Sequence, residues 1–319
     1  MKKFVYFFIA VLISIAINAC NTDEQKADTI FFNAKVWTGD DSLPSASVVA
    51  IKGNQIIYVG DSYDGIKDEH TDMIDLQGKL LMPGLADNHT HFLSGGYNLL
   101  SVKLKDVKTK EGFIQTIKEY CAKDTSDSWI LGGDWDHESW GGALPERSWV
   151  DSISGKHALF LSRYDGHMAF ANTNAINRAG IQKNAVSPLG GTLIRTKDGD
   201  LSGVFKDEAM NLINAAIPEP NENDFAKYLE TASNYALEHG VTLVNDMGSY
   251  GGWNDLNTYK KAKDEGMLKV RMYSFVPLNQ WNKLDSFVKK SGRGDDMLKW
   301  GGLKGFVDGS LGSTTAWFY

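Results

Sequence analysis

Cysteine is nearly absent: Cys20 and Cys121 are the only two in 319 residues. So few thiols exclude a disulfide framework. A basic surplus is missing as well. The 33 Lys and Arg face 40 Asp and Glu, for a net charge of −7 with no basic patch, which argues against nucleic acid as a partner. The one long apolar run, residues 4–17, has the length of a signal-peptide core and is short for a membrane span of ~20 residues. What is there is ordinary globular composition, 42% hydrophobic and 23% charged, on a chain long enough for two domains or one large one.

The apolar run follows Lys2-Lys3 and ends at Ile17-Asn18-Ala19-Cys20, which resembles a bacterial lipobox. Residues 1–20 are then a lipoprotein signal peptide, and Cys20 is the lipidated first residue of the mature protein. The alternative is an uncleaved membrane anchor. Both imply an exported protein of the cell envelope, held at a bacterial membrane through residues 21–28, a polar tether.

The chain is organised around residues 81–92. Pro83-Gly84 forces a turn, and residues 85–92 read as a strand. Alternation along a strand sends His89 and His91 to one side and Thr90 to the other. Two imidazoles side by side at a strand end can grip one divalent metal. The plain alternative is two ordinary polar histidines. Ahead of this stretch, residues 29–82 read as a β module. Apolar strands flank a Gly53-Asn54 turn, and a further strand and turn span 73–79.

Residues 95–238 are long for one connection and suggest an inserted layer. Phe113, Ile114, Ile117 and Cys121 recur at helical spacing within 110–122. A strand at 128–135 runs into a loop carrying Trp135, Asp136 and His137. Ionisable groups beside aromatics suit a pocket wall that binds substrate, the alternative being a polar surface loop. A buried strand at 158–162 leads to Asp165 and His167. His167 either orients substrate or acts as an acid, or it merely precedes a helix over 168–178. Residues 203–218 read as another helix, with Lys206 near its start. Asp207 and Glu208 favour the dipole of its first turn or serve catalysis. From 224 onward, helices at 224–239, 253–265 and 281–290 alternate with strands at 241–247, 268–275 and 303–308. This rhythm predicts a parallel sheet with helical crossovers. Lys304 falls at the start of the last strand. Asp308 lies on the same face four positions on, placed to bind substrate or water.

Four stretches together resemble the amidohydrolase superfamily, and within it the amidohydrolase-3 group of YtcJ-like metal-dependent hydrolases. They are Met82-Pro83-Gly84-Leu85-Ala86-Asp87-Asn88-His89-Thr90-His91, Trp135-Asp136-His137-Glu138-Ser139-Trp140, Ser162-Arg163-Tyr164-Asp165-Gly166-His167 and Gly305-Phe306-Val307-Asp308-Gly309-Ser310-Leu311-Gly312-Ser313. The similarity covers residues 28–319.

The resemblance implies an α/β fold. It comprises a partial TIM-type (β/α) barrel over 83–319, with 95–238 inserted after its first strand, and a small N-terminal β-sandwich module. It implies one or two divalent metals, zinc above all, held by His89 and His91, with Lys304 carboxylated as a bridging ligand and Lys206 as the competing lysine. It implies hydrolysis of a non-peptide carbon–nitrogen amide bond in a small-molecule substrate by metal-activated water; the residues themselves offer His167 and Asp308 as the catalytic groups. The family's remaining metal histidines and its general base fall past residue 319, so the chain is expected to be the N-terminal portion of a longer enzyme. Two other functions stay open: a non-catalytic envelope lipoprotein on this fold, and an ester or phosphoester hydrolase.

Cys20→Ala is expected to block signal processing and to leave the uncleaved precursor in the membrane fraction. Radiolabelled lipid incorporation and the size of the mature chain check this. Cleavage and release of the variant like the wild type would remove the lipoprotein assignment.

Overall fold

The computed structural model describes residues 26–123, 128–248, 253–307 and 317. The expected signal and lipidation segment and Asp308 lie outside these residues. The chain divides into two compact units, Met1–Leu85 and Ala86–Tyr319.

The first unit holds β1 (Thr29–Phe32), β2 (Lys35–Trp37), β3 (Ser45–Ala46), β4 (Val48–Lys52), β5 (Gln55–Gly60), β6 (Asp72–Asp75) and β7 (Leu80–Leu81). They form two small sheets, ordered β5-β4-β1-β6 and β3-β2-β7. The expected β4–β5 hairpin turns at Gly53-Asn54, where Gly53 takes a φ of 57° that suits a residue without Cβ. Val49 of β4 joins Val36 and Ala46 of the smaller sheet in one apolar cluster, while Ile30, Val48 and Ala50 build a second.

The second unit is built on β8 (Leu85–Thr90), and α1 (Phe92–Leu100) follows directly. Then come β9 (Val102–Lys103), α2 (Lys110–Lys123), β10 (Trp129–Trp135), β11 (Ala158–Arg163), β12 (Met168–Ala171), α3 (Thr173–Arg178), β13 (Gly191–Arg195), β14 (Leu201–Asp207) and α4 (Asn211–Asn214). The remaining elements are α5 (Glu222–Glu238), β15 (Val241–Asp246), α6 (Asn254–Asp264), β16 (Arg271–Pro277), α7 (Trp281–Ser291) and β17 (Leu298–Lys304). Two sheets result, a four-stranded one ordered β17-β16-β15-β8 and a six-stranded one ordered β13-β14-β12-β11-β10-β9.

The expected βαβαβ rhythm is present: β15, β16 and β17 are parallel and joined by α6 and α7. Contacts along β8 advance with β15. Asn88 meets Asn245, and the carbonyl of Thr90 accepts from the Met247 N–H at 2.8 Å, so β8 runs the same way. Leu229, Tyr259, Met272, Leu284 and Trp300 belong to one core between this sheet and its helices. Among the described residues the four strands make an open sheet with β8 and β17 at its edges.

The inserted layer is the six-stranded sheet. β9, β10 and β11 are parallel, and β12, β14 and β13 continue it antiparallel. Phe113, Ile117 and Cys121 of α2 bury against one core of this layer, as their spacing predicts. The insert is narrower than 95–238, because α1 and α5 at its ends pack on each other within the four-stranded layer.

Two expected helices begin as strands and turn helical only in their later part. Residues 168–171 form β12 because Ala169, Phe170 and Ala171 are buried in mid-sheet; α3 starts only after Asn172, whose side chain accepts from the Ala175 N–H. Residues 201–207 form β14, where Leu201 to Phe205 are all buried, so no period of two marks the strand in the sequence. Gly203 permits the close pairing: a Cβ there would lie 2.5 Å from the Ala171 carbonyl oxygen. The last two strands also begin and end differently from expectation. Lys304 closes β17 rather than opening a strand, and β16 continues to Pro277.

The α1–α5 crossing is set by Gly96, where an added Cβ would stand 2.0 Å from the backbone oxygen of Tyr228. Gly96→Ala must push the two helices apart and should cost about 1–3 kcal/mol. Gly95→Ala, with nothing within 4 Å of its Cβ, should be neutral or gain up to about 1 kcal/mol from helix propensity. Denaturant melts of the two variants check the contrast. Equal stabilities would show that the crossing is not close-packed.

Candidate metal centre

β8 ends in the two histidines, and α1 begins at once, with His91 as its N-cap residue. The two imidazole rings lie on one side with centroids 5.8 Å apart and planes at 70°, as alternation requires. Asp87 turns back on its own strand and accepts the His89 backbone N–H at 3.0 Å. His91 Nδ1 lies 2.6 Å from the carbonyl oxygen of Gly248. A carbonyl only accepts, so Nδ1 carries the proton and the lone pair of the neutral ring sits on Nε2, the atom a metal takes. The donor chemistry therefore fits a divalent metal such as zinc, as two ligands of an incomplete set. Among the described residues no group of three His, Cys, Asp or Glu is placed to hold an ion. His89 and His91 line a pocket of about 460 Å³ together with Leu99, Tyr235 and His239.

Lys304 stands at the same C-terminal end of the strands, at the close of β17 on the opposite flank of the sheet. Two strands separate it from β8, which puts it roughly 14 Å away along a flat sheet. Its ammonium lies 5.3 Å from the centroid of the Phe306 ring, in a second pocket of about 530 Å³ with Met247, Leu278 and Trp281. Lys206, the competing lysine, is on β14 in the other sheet, paired with Met168 and Thr192. Its strand setting replaces the helix start expected for it.

The groups expected as a pocket wall come together at the ends of β10 and β11. The hub is Arg163, to which the sequence reading gave no role. Its guanidinium bonds Asp136 at 2.8 Å, Asp165, and His137 Nδ1 at 3.3 Å. Burial works against its charge, but the bonds and charges of Asp136 and Asp165 outweigh that and push its pKa up. Burial likewise opposes ionisation of Asp165, yet the His167 backbone N–H and Arg163 hold its carboxyl below the usual range. His167 Nδ1 lies 3.0 Å from Asp207 Oδ1, and both side chains are exposed. This is a hydrogen-bonding partnership between two strand ends, and it gives the Asp207 side chain a partner other than the helical turn that starts after it, which it does not cap. Trp135 is a correction. It is completely buried, and its indole N–H donates to the Leu161 carbonyl at 2.7 Å, so it packs the core beneath the loop and cannot touch a substrate.

The sequence reading also missed Asp246, the last residue of β15. Its side chain is wholly buried. Oδ1 accepts the Phe92 backbone N–H at 2.8 Å and Oδ2 accepts the Tyr259 hydroxyl at 2.9 Å. Burial, with the nearby Asp255 carboxylate adding to it, pushes the Asp246 pKa up to about 6, against the pull of these hydrogen bonds. A charged residue ending a strand of an α/β layer, on the side where barrel sites lie, is the signal that could have found it.

A raised carboxylate pKa means the folded state holds its proton more tightly than the unfolded chain. Stability therefore falls as pH rises from the unfolded value near 3.8 to the folded value of about 6. Asp246→Asn, neutral throughout, escapes that loss. Relative to wild type, the metal-free variant should gain on the order of 2–3 kcal/mol between pH 4 and pH 7. Urea melts across that range check it. A difference independent of pH would mean that Asp246 is not buried as an anion.

A family model described as "Amidohydrolase family" matches residues 72–319. The chain is 37% identical over 304 residues to the Protein LONG AFTER FAR-RED 3 of Arabidopsis thaliana, covering 92% of this chain and 52% of that one. It is 25% identical over 307 residues to the N-substituted formamide deformylase of Arthrobacter pascens, covering 89% of this chain and 55% of that one. The crystal structure of an uncharacterized metal-dependent hydrolase from Pyrococcus horikoshii superposes with a TM-score of 0.67 at 26% identity, covering 89% of this chain and 56% of that one. The chain thus spans about half the length of the curated relatives it matches. With its paired strand-end histidines inside the matched region, the chain belongs to the amidohydrolase family.

Proposed function

We propose that the chain carries part of the centre of a metal-dependent hydrolase that cleaves non-peptide carbon–nitrogen amide bonds in small molecules. The observation that carries this reading is the His89–His91 pair at the end of β8, with the His91 proton held on Nδ1 by the Gly248 carbonyl. The four-stranded sheet is the first part of a barrel wall, and its C-terminal edge is the reacting face.

When bound, a divalent ion, zinc by donor type, supplies a water of lowered pKa and a polarised carbonyl. His89 and His91 would hold it, and Lys304, at the same C-terminal end of the sheet, would supply an oxygen ligand if carboxylated. His167, its Nδ1 held by Asp207, and Asp308 are the groups assigned to proton transfer and substrate positioning. Asp136, His137 and Asp165, fixed through Arg163, give a preorganised polar surface for the substrate, with Trp135 as its buried support. The family's name and that of the Arthrobacter relative, an N-substituted formamide deformylase, favour a carbon–nitrogen bond over an ester. The resemblance of Ile17-Asn18-Ala19-Cys20 to a lipobox supports a location at the cell envelope.

In the full-length gene product, His89→Ala combined with His91→Ala should remove one bound metal per chain. Hydrolysis of an N-formyl and N-acyl amine panel should fall by more than the roughly 10–100-fold typical of losing an outer hydrogen-bond partner. Elemental analysis and the substrate panel check this. Stoichiometric metal that persists after both changes would sink the assignment.

A further inference from the structure

The geometry points to Asp246 as a positioning residue that locks His91 in its ligand tautomer and orientation by clamping both chain segments attached to its ring. The inference rests on the metal-site reading of His91 and extends it to residues outside that site. A closed circuit of hydrogen bonds carries it. The Asp246 carboxylate accepts the backbone N–H of Phe92, the residue next to His91, at 2.8 Å. The backbone N–H of Gly248 also interacts with this carboxylate, as the weakest of its three donors. The carbonyl of the same Gly248 takes the His91 Nδ1–H at 2.6 Å. One carboxylate thus fixes the His91 main chain from one end and the acceptor of its ring proton from the other.

Tyr259 of α6 closes the arrangement. Its hydroxyl donates to Asp246 Oδ2 at 2.9 Å, and the residue is wholly buried, so the carboxylate cannot swing to solvent without losing this bond. Gly248 bends at a φ of 78°, a conformation that favours glycine and lets its N–H and C=O face different partners. Asp246 touches neither metal nor substrate. Its effect reaches the metal through His91, whose neutral tautomer follows from the carbonyl that takes its ring proton.

The test uses the full-length protein with Asp246→Ala, Asp246→Asn, Tyr259→Phe and His91→Ala. Nitrogen-15 shifts of the His91 ring in the metal-free protein report the tautomer, and cobalt(II) titration followed by d–d absorption reports affinity. Wild type should show a single Nδ1–H form. Asp246→Ala should mix the tautomers and weaken cobalt binding about 10–100-fold. Asp246→Asn should recover part of the loss, because its amide oxygen still accepts the Phe92 N–H. Tyr259→Phe keeps the ring in the core and should give a smaller loss of the same kind. If Asp246→Ala does not fold, the Asn and Phe variants decide. Cooperative melts, an unchanged His91 tautomer and wild-type cobalt affinity in both would overturn the clamp. Wild-type cobalt binding by His91→Ala would instead overturn the metal-site reading, while the tautomer measurement, which needs no metal, still tests the clamp.

Discussion

One buried carboxylate ties three segments of the second unit together. Asp246 ends β15, bonds the first turn of α1, and receives the Tyr259 hydroxyl from α6. Burying an anion next to a second buried carboxylate, Asp255, works against folding, as the Asp246 pKa of about 6 records. An apolar residue of similar size would pack at this position without that cost. It could not accept the N–H of a helix that starts without a side-chain cap, since His91 supplies none. The carboxylate therefore does for α1 what an N-cap side chain does elsewhere, from a neighbouring strand rather than from the helix itself.

That junction also explains how a six-stranded sheet can interrupt the βα rhythm without disturbing it. The chain leaves the four-stranded layer at the end of α1 and returns at the start of α5. These two helices approach so closely at Gly96 and Tyr228 that no Cβ fits between them. Exit and return are thus held by packing that the insert does not have to provide. Closing a long excursion between fixed ends grows in cost only with the logarithm of its length. The inserted sheet meets its own needs with cores on both faces, one under α2 and one under α3 and α4.

The parts of this arrangement visible in the sequence are those where one periodicity is unbroken. The β15 to β17 run alternates with amphipathic helices, and the His89–His91 pair sits after an obvious turn. The parts that were hidden have identifiable causes. β12 and β14 are covered on both faces, so their burial runs without alternation and reads like helix. Trp135 shares a loop motif with charged groups, and only the three-dimensional fold shows that it turns inward, with Trp140 packed against the same core. Arg163 and Asp207 gain meaning from partners 26 to 40 positions away, a separation at which no local pattern pairs them. Asp246 looks like ordinary strand-end polarity until its partners on α1 and α6 are known.

β8 has a property that sharpens the role of the clamp. Five of its six residues are exposed, and among the described residues it is paired on one flank only, to β15. An edge strand of this kind gains little from side-chain burial and is held chiefly by its backbone bonds. The two imidazoles at its end must nevertheless keep a fixed geometry if they are to share one ion, because misplacement by about an ångström already loosens such a site. Rigidity therefore has to enter from beyond the strand. It enters through Phe92 and Leu93, buried in the core of the four-stranded layer, and through the Gly248 carbonyl on the ring of His91. The ligand pair is thereby fixed from the C-terminal side of β8, where the core is, rather than from the exposed strand that carries it.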